Sequence, residues 1–180
     1  MKIVDKMKLD DGKEIVFRTP TIKDSANVCA FYNKVIKETQ FLSRITPVTL
    51  KEEKKWVESM GKKVKKKDAV YMGAFFSGKL IGSTSVERKS EQTQKHVGVF
   101  GICILQEFTG KGIGKKLMEL AEKNARGMKI EIMFLSVYGQ NNIAQGLYRK
   151  MGFNEIGKMS NGIKHGSEYD DDILMCKVLK

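Results

Sequence analysis

Cysteine is scarce: Cys29, Cys103 and Cys176 are the three that 180 residues contain, an odd number with no CxxC pair and no histidine nearby. Neither a disulfide framework nor a zinc knuckle is supported, so reduced thiols in a cytoplasmic protein that holds no metal are the expectation. Proline occurs twice and glycine seventeen times without a triplet period, which excludes collagen-like and proline-rich chains. No uncharged apolar run approaches the length of a membrane span. The first ten residues, dotted with charge, lack the apolar core of a signal peptide. Arginine is also scarce, for 28 of the 33 basic residues are lysine.

What is present is an ordinary globular composition, 41% hydrophobic and 30% charged, at a length suited to one domain spanning residues 1–180. A chain of this size buries enough surface to need no covalent staples. The formal charge of +12 has two readings. A phosphate-rich partner or substrate would be attracted by it, whereas lysine, which lacks the planar fork of arginine, also serves simply as a solvated surface residue. Basic and aromatic residues interleave too little for nucleic acid to be the first choice of partner, and no membrane partner is expected.

Gly12 to Thr19 reads as a strand closed by Pro20. Asp24 or Ser25 then caps a helix through about Glu38, with Val28, Phe31, Tyr32, Val35 and Ile36 at helical spacing. A second helix follows Thr49, whose partner three residues on, Glu52, completes a capping box. It ends in Lys62, Lys63, Lys65, Lys66 and Lys67, either a polyanion contact or a solvated helix end with cations at the negative pole of its dipole. The period changes to that of strands in Ala69–Phe76 and Leu80–Val86, joined by a tight turn at Ser77-Gly78-Lys79. Val97–Leu105 is apolar on both faces, as a central strand requires. A helix from about Gly112 to Arg126, a strand from Ile130 to Val137, a helix from Asn141 to Lys150 and two closing strands complete the order βααβββαβαββ, a mixed α/β domain.

Chemistry concentrates where the apolar strand gives way to a helix, in Phe108-Thr109-Gly110-Lys111-Gly112-Ile113-Gly114-Lys115-Lys116. Alternating glycines at such a junction let backbone N–H groups approach an anion at the positive end of the helix dipole. Lys116 stands where a Walker A loop needs Ser or Thr, and Lys115 interrupts a GxGxxG pattern, so nucleoside triphosphates and dinucleotides lose ground. The glycines could equally serve close packing of helix on sheet. A second cluster, Val137-Tyr-Gly-Gln-Asn141-Asn-Ile-Ala144-Gln-Gly-Leu147-Tyr148-Arg-Lys-Met-Gly152-Phe153, lies some thirty residues on.

Together the Gly-x-Gly-x-Gly turn and the V-x-x-x-N-x-x-A-x-x-L-Y-x-x-x-G-F pattern resemble the two diagnostic motifs of the GCN5-related N-acetyltransferase (GNAT) family, from about Phe75 to Met175. The family usually has Arg or Gln where this chain has Thr109. The resemblance implies acetyl-CoA as co-substrate, with backbone groups of Ile102, Cys103 and Ile104 pairing with the pantetheine arm like an added strand. It places the pyrophosphate on Thr109, Gly110, Lys111, Gly112, Ile113, Gly114 and Lys115, and has Asn141 reach the pantetheine, although Asn141 also suffices as a helix N-cap. It makes Tyr148 the general acid that protonates the departing thiolate, a role suited to a phenol that stays protonated at neutral pH; a core tyrosine is the plain alternative.

A base for the attacking amine is sought in Glu87, at the end of a central strand, and in His96. A backbone N–H near Ile104 would stabilise the oxyanion. Cys103, inside an apolar strand, is expected to be inert as a nucleophile. The closing segment, with Gly166, Tyr169, Asp170 and Met175, resembles the ending of family members that acetylate amino acids, polyamines or protein N-termini, and its four carboxylates suggest an acidic lip for a cationic amine. The expected function is N-acetyl transfer from acetyl-CoA to a primary amine; the alternative is a non-catalytic module of the same fold that binds an acyl-CoA or nucleic acid. A homodimer edge at Tyr169 and a monomer both fit.

Overall fold

In the computed structural model residues 3–179 are described. They form one eight-stranded sheet and four α-helices: β1 (Ile3–Lys8), β2 (Glu14–Arg18), α1 (Ser25–Glu38), α2 (Leu50–Lys65), β3 (Ala69–Phe76), β4 (Lys79–Arg88), β5 (Val97–Ile104), α3 (Ile113–Gly127), β6 (Ile132–Tyr138), α4 (Asn142–Lys150), β7 (Asn154–His165) and β8 (Glu168–Val178). The sheet order is β1-β2-β3-β4-β5-β6-β8-β7. The expected order stands with one addition at the start. β1 pairs antiparallel with β2 across a turn holding Gly12 at φ 78°. Its charged residues gave no apolar alternation to read, which is the usual dress of an edge strand.

Local signals are realised closely. Thr49 and Glu52 exchange hydrogen bonds as a capping box at the head of α2, with Thr49 Oγ1 accepting from Glu52 N at 3.2 Å. Ser77 (φ 47°) and Gly78 (φ 77°) turn β3 into β4, both left-handed as a twisted two-residue hairpin needs. In the lysine run at the end of α2, Lys62 meets Glu58 at 3.0 Å and Lys63 meets Glu87 at 2.6 Å.

Alternation along β3 separates the helices onto two faces. Tyr71 packs with Met60 of α2, while its neighbour Val70 joins the cluster holding Met118 and Ala121 of α3. α1 lies beside α2, and its foot is held by a buried bidentate pair: Arg18 Nη1 and Nη2 donate to Asp24 at 2.9 and 2.7 Å. Burial alone would raise the Asp24 carboxyl, but the Arg18 fork and Thr21 hold it below the usual carboxylate value.

The feature that positions a site is where the sheet splits. β5 and β6 run parallel but pair only from Val97 to Val99, against Ile132 to Phe134. From Phe100 onward β5 keeps β4 on one edge and has no strand partner on the other.

Candidate functional site

Which backbone groups of β5 are free follows from the antiparallel ladder with β4. Leu105 N donates to Ile81 O at 3.0 Å, and hydrogen-bonded pairs recur at every second residue. Cys103 and Gly101 therefore turn their N–H and C=O groups toward Ser83 and Ser85. Phe100, Ile102 and Ile104 turn theirs outward, into the split. Of the three residues expected to offer backbone to a ligand, Ile102 and Ile104 do so and Cys103 does not. Strand alternation decides this.

The glycine-rich turn closes the far end of the split. Gly110 and Gly112 hold φ of 71° and 78°, and a Cβ at either would meet nothing within 4 Å; here glycine answers a backbone need. Gly114 answers a packing need, because a Cβ there would stand 3.1 Å from Ile104 Cδ1 and 3.1 Å from Leu147 Cδ2. β5, α3 and α4 converge at that point. No side chain caps α3, and none of the backbone N–H groups from Gly110 to Lys115 has a hydrogen-bond partner among the described residues. Six free donors at the positive end of a helix dipole form a ready anion cradle. Lys111 and Lys115 flank it, Lys115 reaching Glu119 only at 3.9 Å. Thr109 spends its hydroxyl proton on Gln106 O at 2.8 Å, closing the preceding turn.

α4 brings Tyr148 to the split. Its ring stands edge-on to Phe100 (centroids 6.1 Å apart, planes at 90°) and tilted against Phe153 at 5.9 Å. The residue is 7% exposed, yet its hydroxyl bonds to no other described residue, unlike Tyr138, which donates to Leu42 O at 2.8 Å. Loss of water, with a contribution from Cys103, pushes the Tyr148 phenol well above its usual value. Asn141 caps α4, its Oδ1 accepting from Ala144 N at 3.2 Å, and its amide nitrogen has no partner among the described residues.

On the α1–α2 side of the sheet a cleft of about 390 Å³ opens, walled by Gly101, Ile102 and Cys103 of β5, Tyr71 of β3, and Tyr32 and Glu53 from the two helices. Burial pushes the Cys103 thiol up to about 11, in keeping with the inert sulfur expected. Glu53 is 7% exposed and its carboxylate has no hydrogen-bond partner among the described residues; burial raises it. Sequence reasoning passed over this residue. Its signal was an acid on the buried stripe of α2, in step with Val57 and Met60.

Glu87 is not brought to the cleft. Its place opposite Val99 lies at the closed end of the β5–β6 pair, and Lys63 holds its carboxylate at 2.6 Å. Of His96, the backbone carbonyl is what the structure uses, accepting from Glu131 N at 2.8 Å. The acidic ending does not form a lip on this cleft either. Asp171 pairs with Lys158 at 3.0 Å and accepts from Asn161 N at 3.0 Å, while Asp170 accepts from Gln140 N at 3.2 Å. These carboxylates tie down the β7–β8 hairpin and the approach to α4.

Known proteins resemble this chain throughout that frame. A sequence profile described as the acetyltransferase (GNAT) family matches residues 35–153. An L-amino acid N-acetyltransferase of Escherichia coli is 26% identical over 58% of this chain and 65% of its own length. An L-methionine sulfoximine/L-methionine sulfone acetyltransferase of Pseudomonas aeruginosa is 22% identical over 85% of this chain and 88% of its own. Among solved structures, an acetyltransferase of the GNAT family from Streptococcus pneumoniae superposes with a TM-score of 0.83, at 26% identity, over 92% of this chain and 99% of its own. A putative acetyltransferase from Salmonella typhimurium, solved with acetyl-CoA, has a TM-score of 0.82 over 92% and 94% at 18% identity, a likeness of fold.

Proposed function

Because this chain belongs to the acetyltransferase (GNAT) family, acetyl-CoA-dependent N-acetyltransferases, we propose that it acetylates the primary amine of a small acceptor by direct attack within a ternary complex. One observation carries the reading: Gly101–Cys103 of β5 belong both to the segment without a β6 partner and to the wall of the 390 Å³ cleft. A thioester laid along the free edge of β5 arrives with its carbonyl at that wall, where an amine in the cleft meets it.

Each part of the donor has a matching group. The N–H groups of Gly110 to Lys115, with Lys111 and Lys115 beside them, take the pyrophosphate. Ile102 and Ile104 bond the amide groups of the pantetheine as a neighbouring strand would. The free amide of Asn141 adds a donor from α4. The amine attacks the thioester carbon, an outward backbone N–H of this edge stabilises the oxyanion, and the carbon–sulfur bond breaks as Tyr148 donates its hydroxyl proton to the leaving sulfur. Burial keeps the phenol protonated at neutral pH, so the proton is present to be given. Cys103, with its raised thiol, stays a bystander.

Calorimetric titration with acetyl-CoA, desulfo-CoA and adenosine diphosphate, followed by thiol release with a panel of amines, tests the reading. One-to-one binding of acetyl-CoA with amine-dependent release of thiol is expected. Failure of all three to bind overturns it, and tight binding without release for any amine favours a non-catalytic acyl-CoA module.

A further inference from the structure

The described surface of the 390 Å³ cleft carries three charged side chains, Arg44, Glu52 and Glu53, and they are not equivalent. Glu52 is fully committed: its Oε2 accepts from Thr49 N and Oγ1 at 2.8 Å each, and its Oε1 from Arg44 Nη2 at 3.2 Å. These donors hold its carboxyl down at about 2, so it is a structural anion. Arg44 is fixed from behind, Nε donating to Thr46 O at 3.0 Å and Nη2 to Pro47 O at 3.3 Å. Its Nη1 has no partner among the described residues. Glu53 is 7% exposed as a residue, and its carboxylate has no hydrogen-bond partner among the described residues. Its oxygens are not sealed off but open to the cleft, where a cationic group could reach them.

We propose that this cleft takes a zwitterionic α-amino acid, with Glu53 receiving its ammonium group and the free edge of Arg44 receiving its carboxylate. The inference rests on the acetyl-transfer reading above and narrows its acceptor. A carboxylate with no ion-pair partner inside, and at the rim a guanidinium that is paired with Glu52 on one side but keeps Nη1 open, match the two ends of one small molecule. A polyamine would bring a second cation toward Arg44, and a protein N-terminus carries no carboxylate next to its amine. The walls suit an uncharged side chain, with Tyr71 buried and Trp56 edge-on to it at 5.1 Å.

Glu53 then also supplies the base that Glu87, held by Lys63 away from the cleft, does not. It takes one proton from the ammonium and passes it to water. The free amine attacks the thioester carbon, and the second proton it sheds replaces the one Tyr148 gives to sulfur. One amide and one thiol form, and one proton leaves. The titratable and charged groups facing Glu53 are Arg44, Glu52, Tyr32, Tyr71 and Cys29.

The test is thiol release by the whole protein with free neutral amino acids, their carboxamides and polyamines, in the wild type, Arg44→Ala and Glu53→Gln, with acetyl-CoA affinity measured calorimetrically in each. The free acid should be preferred to its carboxamide. Arg44→Ala should raise KM for the acid by about 10- to 100-fold, the worth of a hydrogen bond between charged groups, and leave the carboxamide almost unchanged. Glu53→Gln should lower kcat/KM by about 10²- to 10⁴-fold and move the rise of activity with pH upward, with acetyl-CoA affinity intact. Equal use of acid and carboxamide, better use of polyamines, or equal losses on both substrates in Arg44→Ala would overturn the assignment. So would binding of acetyl-CoA with no free amino acid acetylated, which leaves the donor site standing; loss of acetyl-CoA binding in the wild type removes both readings.

Discussion

Gly114 stands between Ile104 of β5 and Leu147 of α4, each within 3.1 Å of where its Cβ would be. The strand that would carry the pantetheine, the helix that would hold the pyrophosphate and the helix that carries Tyr148 thus meet around a single missing methyl group. Overfilling such a point forces side chains and backbone to shift. Gly114→Val should lower stability by about 1–3 kcal/mol and weaken acetyl-CoA binding, whereas Gly61→Ala on α2, where a Cβ meets nothing within 4 Å, should do neither. Thermal unfolding and calorimetry check the pair.

Tyr148 keeps its hydroxyl unbonded to any described residue while its ring packs on Phe100 and Phe153. Tyr148→Phe keeps the packing and removes only the proton donor. Activity should fall by about 10²- to 10⁴-fold, the usual contribution of an acid, with the melting temperature and the acetyl-CoA affinity unchanged. A marked drop in stability would instead assign the hydroxyl to the core.

Arg18 and Asp24 form a pair 5% and 8% exposed. Removing one charge leaves the other buried and alone, so Asp24→Asn should cost about 3–5 kcal/mol. The Asp24 carboxyl is held below its usual 3.8 in the fold. Its contribution is therefore complete above 3.8 and lost as pH falls through the lower folded value. Urea midpoints of the wild type should drop below pH 4, and those of Asp24→Asn should drop less.

With its thiol at about 11, Cys103 is ionised to about one part in 10⁴ at pH 7. Incubation with acetyl-CoA in the absence of an amine should leave the intact mass of the protein unchanged. An acetyl adduct on Cys103 would replace direct attack by a two-step route.

Near-neighbour features were legible in the residue order. Thr49 and Glu52 cap α2 because the two partners lie within one turn of helix, and Ser77-Gly78 turns β3 into β4 because two left-handed residues suffice. The glycine turn before α3 and the N-x-x-A-x-x-L-Y pattern of α4 were recognisable for the same reason: the geometry that each needs is built within a few residues. β1 escaped notice because an edge strand beside solvent has no apolar alternation to display.

What only the tertiary structure decided are the relations between distant residues. That β5 parts from β6 after Val99, freeing Ile102 and Ile104 but not Cys103, depends on pairing between strands some thirty residues apart in sequence. That Lys63 claims Glu87, and that Glu53 is left unpaired within the cleft, depends on how α2 lies across β3 and β4. Local propensity and periodicity are written in short stretches of chain, and from them the sequence by itself determined the elements and the glycine-rich turn before α3. The burial of one carboxylate and the ion-pairing of another are decided by which surfaces meet, and these choices define the acceptor side of the site.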